Sequence, residues 1–390
     1  MNKKIRLIET FAGYGSQAMA LKNLNINFEH YKISEWNILA NKSYNAIHKP
    51  SNKKYDVHLN DDEIINKLEE LQITLDDKKC LNKDDFKRKG IDWCRQVYNE
   101  FFQNNNLGSI THIHAKDLQI LDLDKYLYLF TYSFPCTDLS SAGKQKGMKK
   151  GSGTSSGLLW EIERILNECE NLPQVLFMEN VKQVLSKKNK NDFDNWCKFL
   201  ESKGYTNSYK VLNSCDYGIP QNRERCYMIS ILGNQKYEFP NTIPLTKHLR
   251  DYLDDKVDNN LYINNFYANE VKEIYKDFDF MNDKNRYNKI CVLGHYMKSK
   301  HESSRIVNIN GISPTIKENH NTVTAIIDKD NNVRKLSVYE FGKLMGVSNN
   351  DIDKILQVQS ISKARKQFGN SIVVNVMEYI FYNLFKTISL

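Results

Sequence analysis

The sequence predicts an α/β protein built on a doubly wound, Rossmann-like sheet, with a smaller second domain that is loop-rich or β. Strand-like runs alternate with helical patterns through residues 1–232, the order expected of a largely parallel sheet covered by helices. A glycine-rich turn follows the first run, as in folds that bind a cofactor at a helix N-terminus. Residues 233–323 are instead rich in Asn, Asp, Lys, Tyr and His and show no sustained period.

Short runs of apolar, aromatic and β-branched residues define the predicted strands of the sheet. Residues 16–24 have a helical pattern directly after the glycine-rich turn, and apolar residues at helical spacing between Leu158 and Leu166 predict an amphipathic helix. The predicted strands are 5–10, 28–34, 126–134, 174–178, 205–213 and 225–232.

Two regions interrupt this alternation. Residues 51–108 are charged and mostly helical in pattern, so we interpret them as an insertion in which Asp61-Asp62-Glu63 opens one helix. Residues 233–323 form the predicted second domain, and helical patterning resumes in residues 324–390.

Composition limits the classes of function. The 390-residue chain carries a formal net charge of +8, which favours association with a polyanion, although a solvated basic surface remains the alternative. Its eight cysteines form no C-x-x-C pair, so neither a zinc site nor a disulfide framework is indicated, and a reducing cytosol is the simplest compartment. No apolar run is long enough to span a bilayer, and the basic N-terminus leads into Glu9 instead of a signal-peptide core.

Cys136 lies where the predicted strand 126–134 ends. Pro135 cannot continue the hydrogen-bond ladder, so the strand stops and the thiol is expected near its tip. Strand tips are where open α/β sheets bind ligands, and a partly exposed thiolate there is a candidate nucleophile. A small buried hydrophobic residue is the alternative interpretation of Cys136.

The loop from Phe11 to Ala18 fits the pattern G-x-G-x-x-[G/A] through Gly13 and Gly15. Glu35 follows at the distance at which a carboxylate can accept both hydroxyls of an adenosine ribose. This pattern fits a nicotinamide cofactor, S-adenosylmethionine or a simple packing turn. Asp117, which precedes Leu118, could bind an adenine amino group or be a solvated loop residue.

Two further motifs carry charged side chains near predicted strands. Glu179 follows strand 174–178, where a carboxyl group shielded from water could hydrogen-bond or protonate a ring nitrogen; a helix-capping Glu-Asn pair is the alternative. Arg223 and Arg225 alternate at the start of another strand, so their guanidinium groups could bind a carbonyl oxygen or a phosphate, or form surface ion pairs.

Taken together and in this order, the motifs resemble the DNA cytosine-5 methyltransferase family of bacterial restriction–modification systems. The resemblance covers nearly the whole chain apart from the insertion 51–108 and the middle of the variable region. Thr137 stands where the family usually has glutamine. The motifs are the Phe11 loop, Glu35-Trp36, Pro135-Cys136, Glu179-Asn180-Val181, Gln221-x-Arg223-x-Arg225 and Gln367-Phe368-Gly369-Asn370-Ser371.

The resemblance implies a sequence-specific enzyme that methylates carbon 5 of cytosine in duplex DNA. The thiolate of Cys136 would add to carbon 6, Glu179 would hydrogen-bond or protonate ring nitrogen 3, and Arg225, with Arg223 beside it, would hold the carbonyl oxygen at position 2. S-adenosylmethionine would be the methyl donor. The residues expected to bind it are Phe11, Gly13, Gly15, Glu35, Trp36, Asp117, Leu118, Pro135, Asn370 and Ser371.

In the family, the region after the arginine motif reads the DNA sequence, which assigns 233–323 as the target-recognition domain. The segment 324–390 would return to the catalytic domain 1–232. Because the target base must leave the duplex, the loop after Cys136 would close over it and contact phosphate. The expected DNA-binding residues are Ser140, Lys144, Lys146, His295, Arg305 and Thr315.

The same resemblance implies no metal, a monomer that is cytoplasmic and nucleoid-associated, and a cognate restriction endonuclease acting separately. Three other functions are alternatives to DNA cytosine methylation. An RNA cytosine methyltransferase would have little need of the long region 233–323. A nicotinamide oxidoreductase gives no reason for Cys136 and Glu179, and a DNA-binding protein with an inactive methylase fold gives none for an intact thiol, glutamate and arginine set.

Overall fold

The computed structural model describes residues 3–51, 53–139, 146–318 and 324–388. The chain divides into two compact units. The first unit comprises Met1–Val211, Arg225–Pro240 and Ile380–Leu390, and the second unit comprises Leu212–Glu224 and Asn241–Tyr379.

A six-stranded sheet forms the centre of the first unit, with the strand order β2-β1-β3-β4-β6-β5. This α/β arrangement agrees with the predicted fold class. The strands are β1 (Lys4–Thr10), β2 (Phe28–Ser34), β3 (Tyr126–Tyr132), β4 (Val175–Val181), β5 (Tyr205–Asn213) and β6 (Glu224–Leu232).

The directions of the strands bring the predicted site motifs to one edge of this sheet. β1 pairs in parallel with β2 and with β3, and Thr10 lies opposite both Ser34 and Tyr132. β4 is parallel to β3, whereas β6 is antiparallel to β4, so Arg225 at the start of β6 lies opposite Val181 at the end of β4. β2 lies on one side of β1 and β3 on the other, so the strand order changes direction between β1 and β3. Open α/β sheets bind their ligands at such a point.

Two strand boundaries differ from the predicted ones by more than one residue. β3 ends at Tyr132, two residues before the predicted end, because Ser133 already begins the approach to Pro135. β4 continues to Val181 because β6 pairs with it over its whole length. Glu179 therefore lies inside a buried strand and does not follow it.

Helices cover the sheet and bury apolar faces against it. In α7 the side chains of Leu159, Ile162, Ile165 and Leu166 are fully buried, which confirms the predicted amphipathic helix. The helices of this part are α1 (Ser16–Asn23), α2 (Ile38–His48), α6 (Ala115–Leu118), α7 (Leu159–Glu168) and α8 (Lys190–Ser202).

The insertion 51–108 is helical, as the sequence predicted. It contains α3 (Asp61–Glu70), α4 (Lys83–Lys89) and α5 (Ile91–Gln103). Asn60 and Asn82 each begin a helix with a capping box. The helices enclose a small apolar core of their own, which includes Ile64, Leu68, Phe86, Val97 and Phe101.

The second unit contains a four-stranded sheet with the order β10-β9-β8-β7. Its strands are β7 (Val292–His295), β8 (Arg305–Val307), β9 (Ala325–Ile327) and β10 (Val333–Lys335). Its helices are α9 (Phe266–Ile274), α10 (Val338–Leu344), α11 (Asn349–Val358) and α12 (Ile361–Asn370), and α13 (Val374–Thr387) begins in it.

The unit boundaries differ from the predicted domain boundaries. Of the segment 324–390, which was expected to return to the first domain, only Ile380–Leu390 groups with the first unit. One reason is the small sheet, in which β9 of this segment pairs in parallel with β8. Among the helices of the described ranges, none combines the length and apolar character needed to cross a membrane.

Candidate active site

Cys136 lies in the turn that follows β3, with its side chain half-buried. Its main-chain carbonyl accepts a hydrogen bond of 3.0 Å from the Leu139 N–H group. The hydroxyl of Ser156 donates to the Pro135 carbonyl at 2.7 Å and accepts from the Asp138 N–H group at 3.3 Å. The turn that carries the thiol is therefore fixed on both sides of Cys136 by one serine.

Three of the predicted DNA contacts follow this turn. Ser140 and Lys144 lie outside the described residues, while Lys146 is exposed. The far end of the loop is anchored, because the Trp160 indole N–H group donates to the Met148 carbonyl at 2.7 Å.

Glu179 is buried in β4, where its carboxylate contacts two side chains. The Arg225 Nε atom lies 3.3 Å from the Glu179 Oε1 atom, and the Ser133 hydroxyl donates to Oε2 at 3.3 Å. The side chains of Arg225 and Glu179 are only 15% and 9% exposed. Ser133 comes three residues before Cys136, so this ion pair lies next to the chain segment that carries the thiol.

Asn180 gives a second connection between β4 and the segment before Cys136. Its side-chain amide donates to the Phe134 carbonyl at 2.8 Å, and both groups are buried. Sequence reasoning quoted Asn180 as part of a motif but assigned no role to it, and it missed Ser133 and Ser156. The only local signal for Asn180 was its position directly after Glu179.

Arg223 requires a correction, because it precedes β6 and does not share a strand face with Arg225. Its side chain is buried in the second unit, where Nη1 donates to the Ile316 carbonyl at 2.9 Å. Nη2 donates to the carbonyls of Gly369 and Ser371 at 3.1 and 2.5 Å. Since its guanidinium group binds three main-chain carbonyls, we assign Arg223 a structural role instead of contact with the base.

The glycine-rich loop after β1 has three left-handed residues at alternate positions. Phe11, Gly13 and Gly15 have φ values of 54°, 56° and 81°. A Cβ atom at Gly15 would lie 2.5 Å from His48 Nε2, so only glycine fits there, whereas a Cβ atom at Gly13 would meet no atom within 4 Å. The loop is thus packed at Gly15 and borders open space at Gly13.

Glu35 joins this loop to the end of β2. Its carboxylate accepts hydrogen bonds from the main-chain N–H groups of Gly13 and Asn37 at 2.8 and 2.7 Å. Burial raises the pKa of this carboxyl group to about 7, and the two hydrogen bonds oppose that shift. Open space at Gly13 beside a carboxylate at a strand end suits a cofactor that presents ribose hydroxyls.

The other predicted cofactor residues lie in several places. Trp36 is half-buried after Glu35. Asp117 lies in α6, where its carboxylate accepts from the His114 N–H group at 2.8 Å, and Leu118 is fully buried. In the second unit, Asn370 ends α12 with an exposed side chain and Ser371 follows it. The roles of these residues toward a cofactor stay predictions.

Two predicted DNA-binding residues are brought together in the second unit. His295 on β7 and Arg305 on β8 are directly paired in the antiparallel ladder, so their side chains share one face of the small sheet. Arg305 lies 4.0 Å from Glu302, and His295 Nδ1 lies 3.1 Å from the Ser304 hydroxyl. Thr315 is elsewhere in the unit, and its hydroxyl donates to the Asn222 carbonyl at 2.5 Å.

Within the described ranges, no group of three or more His, Cys, Asp and Glu side chains is arranged to hold a metal ion.

Comparison with known proteins gives consistent matches. The family model described as C-5 cytosine-specific DNA methylase matches residues 82–386. The chain is 36% identical to the Type II methyltransferase M2.ScrFI of Lactococcus lactis subsp. cremoris, and the alignment covers 98% of this chain and 99% of that protein. It is also 36% identical to the orphan methyltransferase M.SssI of Spiroplasma monobiae, over 97% of this chain and 96% of that protein.

Solved structures show the same fold at low identity. The Dnmt2 methyltransferase of S. pombe aligns with a TM-score of 0.60 and 17% identity over all of both chains. The methyltransferase EhMeth of Entamoeba histolytica aligns with a TM-score of 0.64 and 16% identity over 99% of each chain.

Proposed function

Because this chain belongs to the C-5 cytosine-specific DNA methylase family, we propose that Cys136 is the nucleophile of its reaction and that Glu179 and Arg225 bind the target base. The chain is a DNA (cytosine-5)-methyltransferase, and S-adenosylmethionine is its methyl donor. The observation that carries the residue assignment is the buried ion pair between Glu179 and Arg225, which Ser133 connects to the segment bearing the thiol.

The chemistry explains why a thiol, a carboxyl group and a guanidinium group are needed together. Carbon 5 of cytosine is a poor nucleophile. When the thiolate of Cys136 bonds to carbon 6, the double bond between carbons 5 and 6 is lost and carbon 5 becomes electron-rich. A protonated Glu179 stabilises this species by donating a hydrogen bond or its proton to ring nitrogen 3, and Arg225 by donating a hydrogen bond to the oxygen at position 2. Once carbon 5 carries the methyl group that the cofactor would supply, loss of the carbon 5 proton and departure of the Cys136 thiolate restore the double bond and complete the reaction.

The glycine-rich loop and the carboxylate at the end of β2 are the proposed cofactor site. S-adenosylmethionine, when bound, supplies an electrophilic methyl group. Glu35 would accept hydrogen bonds from its ribose hydroxyls, and the open space at Gly13 would leave room for it beside the loop. The remaining residues proposed to hold it are Phe11, Gly15, Trp36, Asp117, Leu118, Pro135, Asn370 and Ser371.

We assign target recognition to the second unit and catalysis to the first, which also carries the proposed cofactor residues other than Asn370 and Ser371. The adjacent side chains of His295 and Arg305 on one face of the small sheet support contact with base edges or phosphate. Thr315 is proposed to act in the same unit, and Ser140, Lys144 and Lys146 to contact the DNA around the flipped base. The enzyme is proposed to work as a monomer at the nucleoid in the cytoplasm, with any cognate endonuclease acting as a separate protein.

Bisulfite sequencing of DNA from a methylation-deficient bacterial host that expresses the chain gives the modified sequence. A duplex with 5-fluorocytosine at that position then tests the nucleophile, because fluorine at carbon 5 blocks the elimination step and traps the adduct. Wild type should form a denaturant-stable complex, and Cys136→Ala should bind the duplex without forming one. A stable adduct in the Cys136→Ala variant would refute the assignment of the thiol.

A further inference from the structure

We propose that the insertion 51–108 holds the cofactor-binding segment Glu35-Trp36-Asn37 in place, and that Asn106 is its main positioning residue. This inference rests on the proposed role of Glu35 in binding the ribose of the cofactor. It concerns a part of the chain for which the sequence indicated no function.

Just after β2 ends, the side chain of Asn106 forms hydrogen bonds to the main chain of Glu35, as a neighbouring strand would. The Glu35 N–H group donates to the Asn106 Oδ1 atom at 3.1 Å, and the Asn106 Nδ2 atom donates to the Glu35 carbonyl at 3.0 Å. One side-chain amide therefore satisfies both main-chain polar groups of Glu35. All of these groups are buried, so the direction of the main chain at Glu35 is strongly fixed.

The Asn106 amide is itself held by Gly108 in the same loop and by Asn41 on α2. Its Oδ1 atom also accepts from the Gly108 N–H group at 3.0 Å, and its Nδ2 atom lies 3.0 Å from the Asn41 Oδ1 atom on α2. Asn104 donates to the same Asn41 oxygen at 3.0 Å. The orientation of Asn106 is thus set before any ligand binds, which reduces the cost of ordering the site.

A second part of the insertion contacts the next two residues. The Thr74 N–H group donates to the Trp36 carbonyl at 2.9 Å, and the Thr74 carbonyl accepts from the Ile38 N–H group at 3.0 Å. The Asn37 side-chain amide donates to the carboxylate of Asp77. The segment from Glu35 to Asn37 is therefore bound by Asn106 at its first residue and by the turn at 74–77 beyond it.

The insertion can act as a fixed support because it has its own core. Thr74 and Asp77 follow α3, and Asn106 follows α5, and these two helices pack together around Leu68, Val97 and Phe101. Removing the contacts of Asn106 should leave that core intact but let Glu35 move, so cofactor affinity should fall.

Calorimetric titration of the full chain with S-adenosylmethionine tests this inference. Asn106→Ala should raise the Kd about tenfold, whereas Asn99→Ala should leave it within about twofold. Asn99 is the matched control, since its amide also bridges main chain and side chain in the insertion but contacts Tyr55 and Asp56 instead of Glu35. In steady-state assays Asn106→Ala should raise KM for the cofactor and leave KM for DNA and kcat near their wild-type values.

Two further variants separate the possible failures. Glu35→Ala must weaken binding of the cofactor; if it does not, the proposed role of Glu35 fails. If Glu35→Ala weakens binding but Asn106→Ala does not differ from Asn99→Ala, the inference about the insertion alone is overturned. Should Asn106→Ala fail to fold, Asp77→Ala decides the question at an exposed position, with a rise of about threefold in Kd expected and no change contradicting the inference.

Discussion

The side-chain amide of Asn180 donates a hydrogen bond to the main-chain carbonyl of Phe134, two residues before Cys136. This bond joins the middle strand β4 to the turn that presents the thiol. The bond therefore fixes the position of that turn relative to the sheet. Asn180 acts through the main chain of Phe134 and not on the reacting groups themselves.

Asn180→Ala should therefore lower kcat by about 10- to 100-fold, because a shift of the thiol by a fraction of an ångström misaligns its attack on carbon 6. Methyl transfer at saturating DNA and cofactor measures this effect. The Kd for the cofactor should stay near the wild-type value, and an unchanged kcat would show that the turn is held by Ser156 alone.

Removing Arg225 should reduce stability as well as activity. Arg225→Ala leaves the Glu179 carboxylate buried without its guanidinium partner, which should cost about 3 kcal/mol in the free energy of unfolding. Urea denaturation measures the loss. The double variant Glu179→Gln with Arg225→Ala should recover part of it, and no recovery would mean that the ion pair is not the source of the loss.

Arg223 should behave as a structural residue in the same assays. Arg223→Ala leaves two buried main-chain carbonyls and one partly buried one without their donor, so a loss of about 3 kcal/mol in the free energy of unfolding is expected. At a temperature where the variant is folded, it should still form the covalent adduct with 5-fluorocytosine duplex. Arg88→Ala, an exposed change in the insertion, serves as the control for stability.

The raised pKa of Glu35 predicts how stability depends on pH. Burial raises this pKa from 4.5 to about 7, so the folded protein retains a proton that the unfolded chain releases in that interval. The free energy of unfolding should therefore fall between pH 4.5 and 7, by about 3 kcal/mol for this group. The fully buried Glu9, whose pKa burial also raises to about 7, adds to the same trend.

Glu35→Gln should flatten this pH dependence, because the amide has no proton to lose. Denaturant titrations at pH 5 and pH 8 compare the variant with wild type, and Glu70→Gln, at an exposed position, is the control. Parallel pH dependences in Glu35→Gln and wild type would contradict the raised pKa.

The two loop glycines should respond differently to alanine. Gly15→Ala places a Cβ atom 2.5 Å from His48 Nε2 at a left-handed φ, so the free energy of unfolding should fall by about 3 kcal/mol. Gly13→Ala meets open space, so only the strain of its φ, about 1 kcal/mol, should appear. Thermal unfolding without cofactor compares the two, and equal losses would argue against the close packing at Gly15.

Local sequence patterns were sufficient to predict most strands of the six-stranded sheet. Residues 28–34 and 205–213 form strands with the predicted bounds, because apolar and β-branched runs bounded by turn residues identify buried strands. They were also sufficient to place Glu35 directly after strand 28–34 and Cys136 beyond the end of its strand, since Pro135 limits where that strand can continue.

The parts that sequence reasoning missed depend on partners distant in the chain. Arg223 donates to carbonyls at Ile316, Gly369 and Ser371, and a main-chain carbonyl leaves no signal in the sequence. Asn106 lies 71 positions from Glu35, in a region whose composition indicates only charged helices. The extension of β4 past Glu179 likewise depends on pairing with β6.

The path of the chain through its two units has a consequence for engineering. The chain enters the second unit at Leu212, leaves it at Glu224, and enters it again at Asn241. A chimaera that transplants only 241–379 onto another methyltransferase would leave Arg223 behind, and with it the donor for three carbonyls of the transplanted part. Exchange of target specificity by recombination should therefore succeed when the short segment 212–224 travels with the long one, or when the recipient supplies an arginine at the position of Arg223.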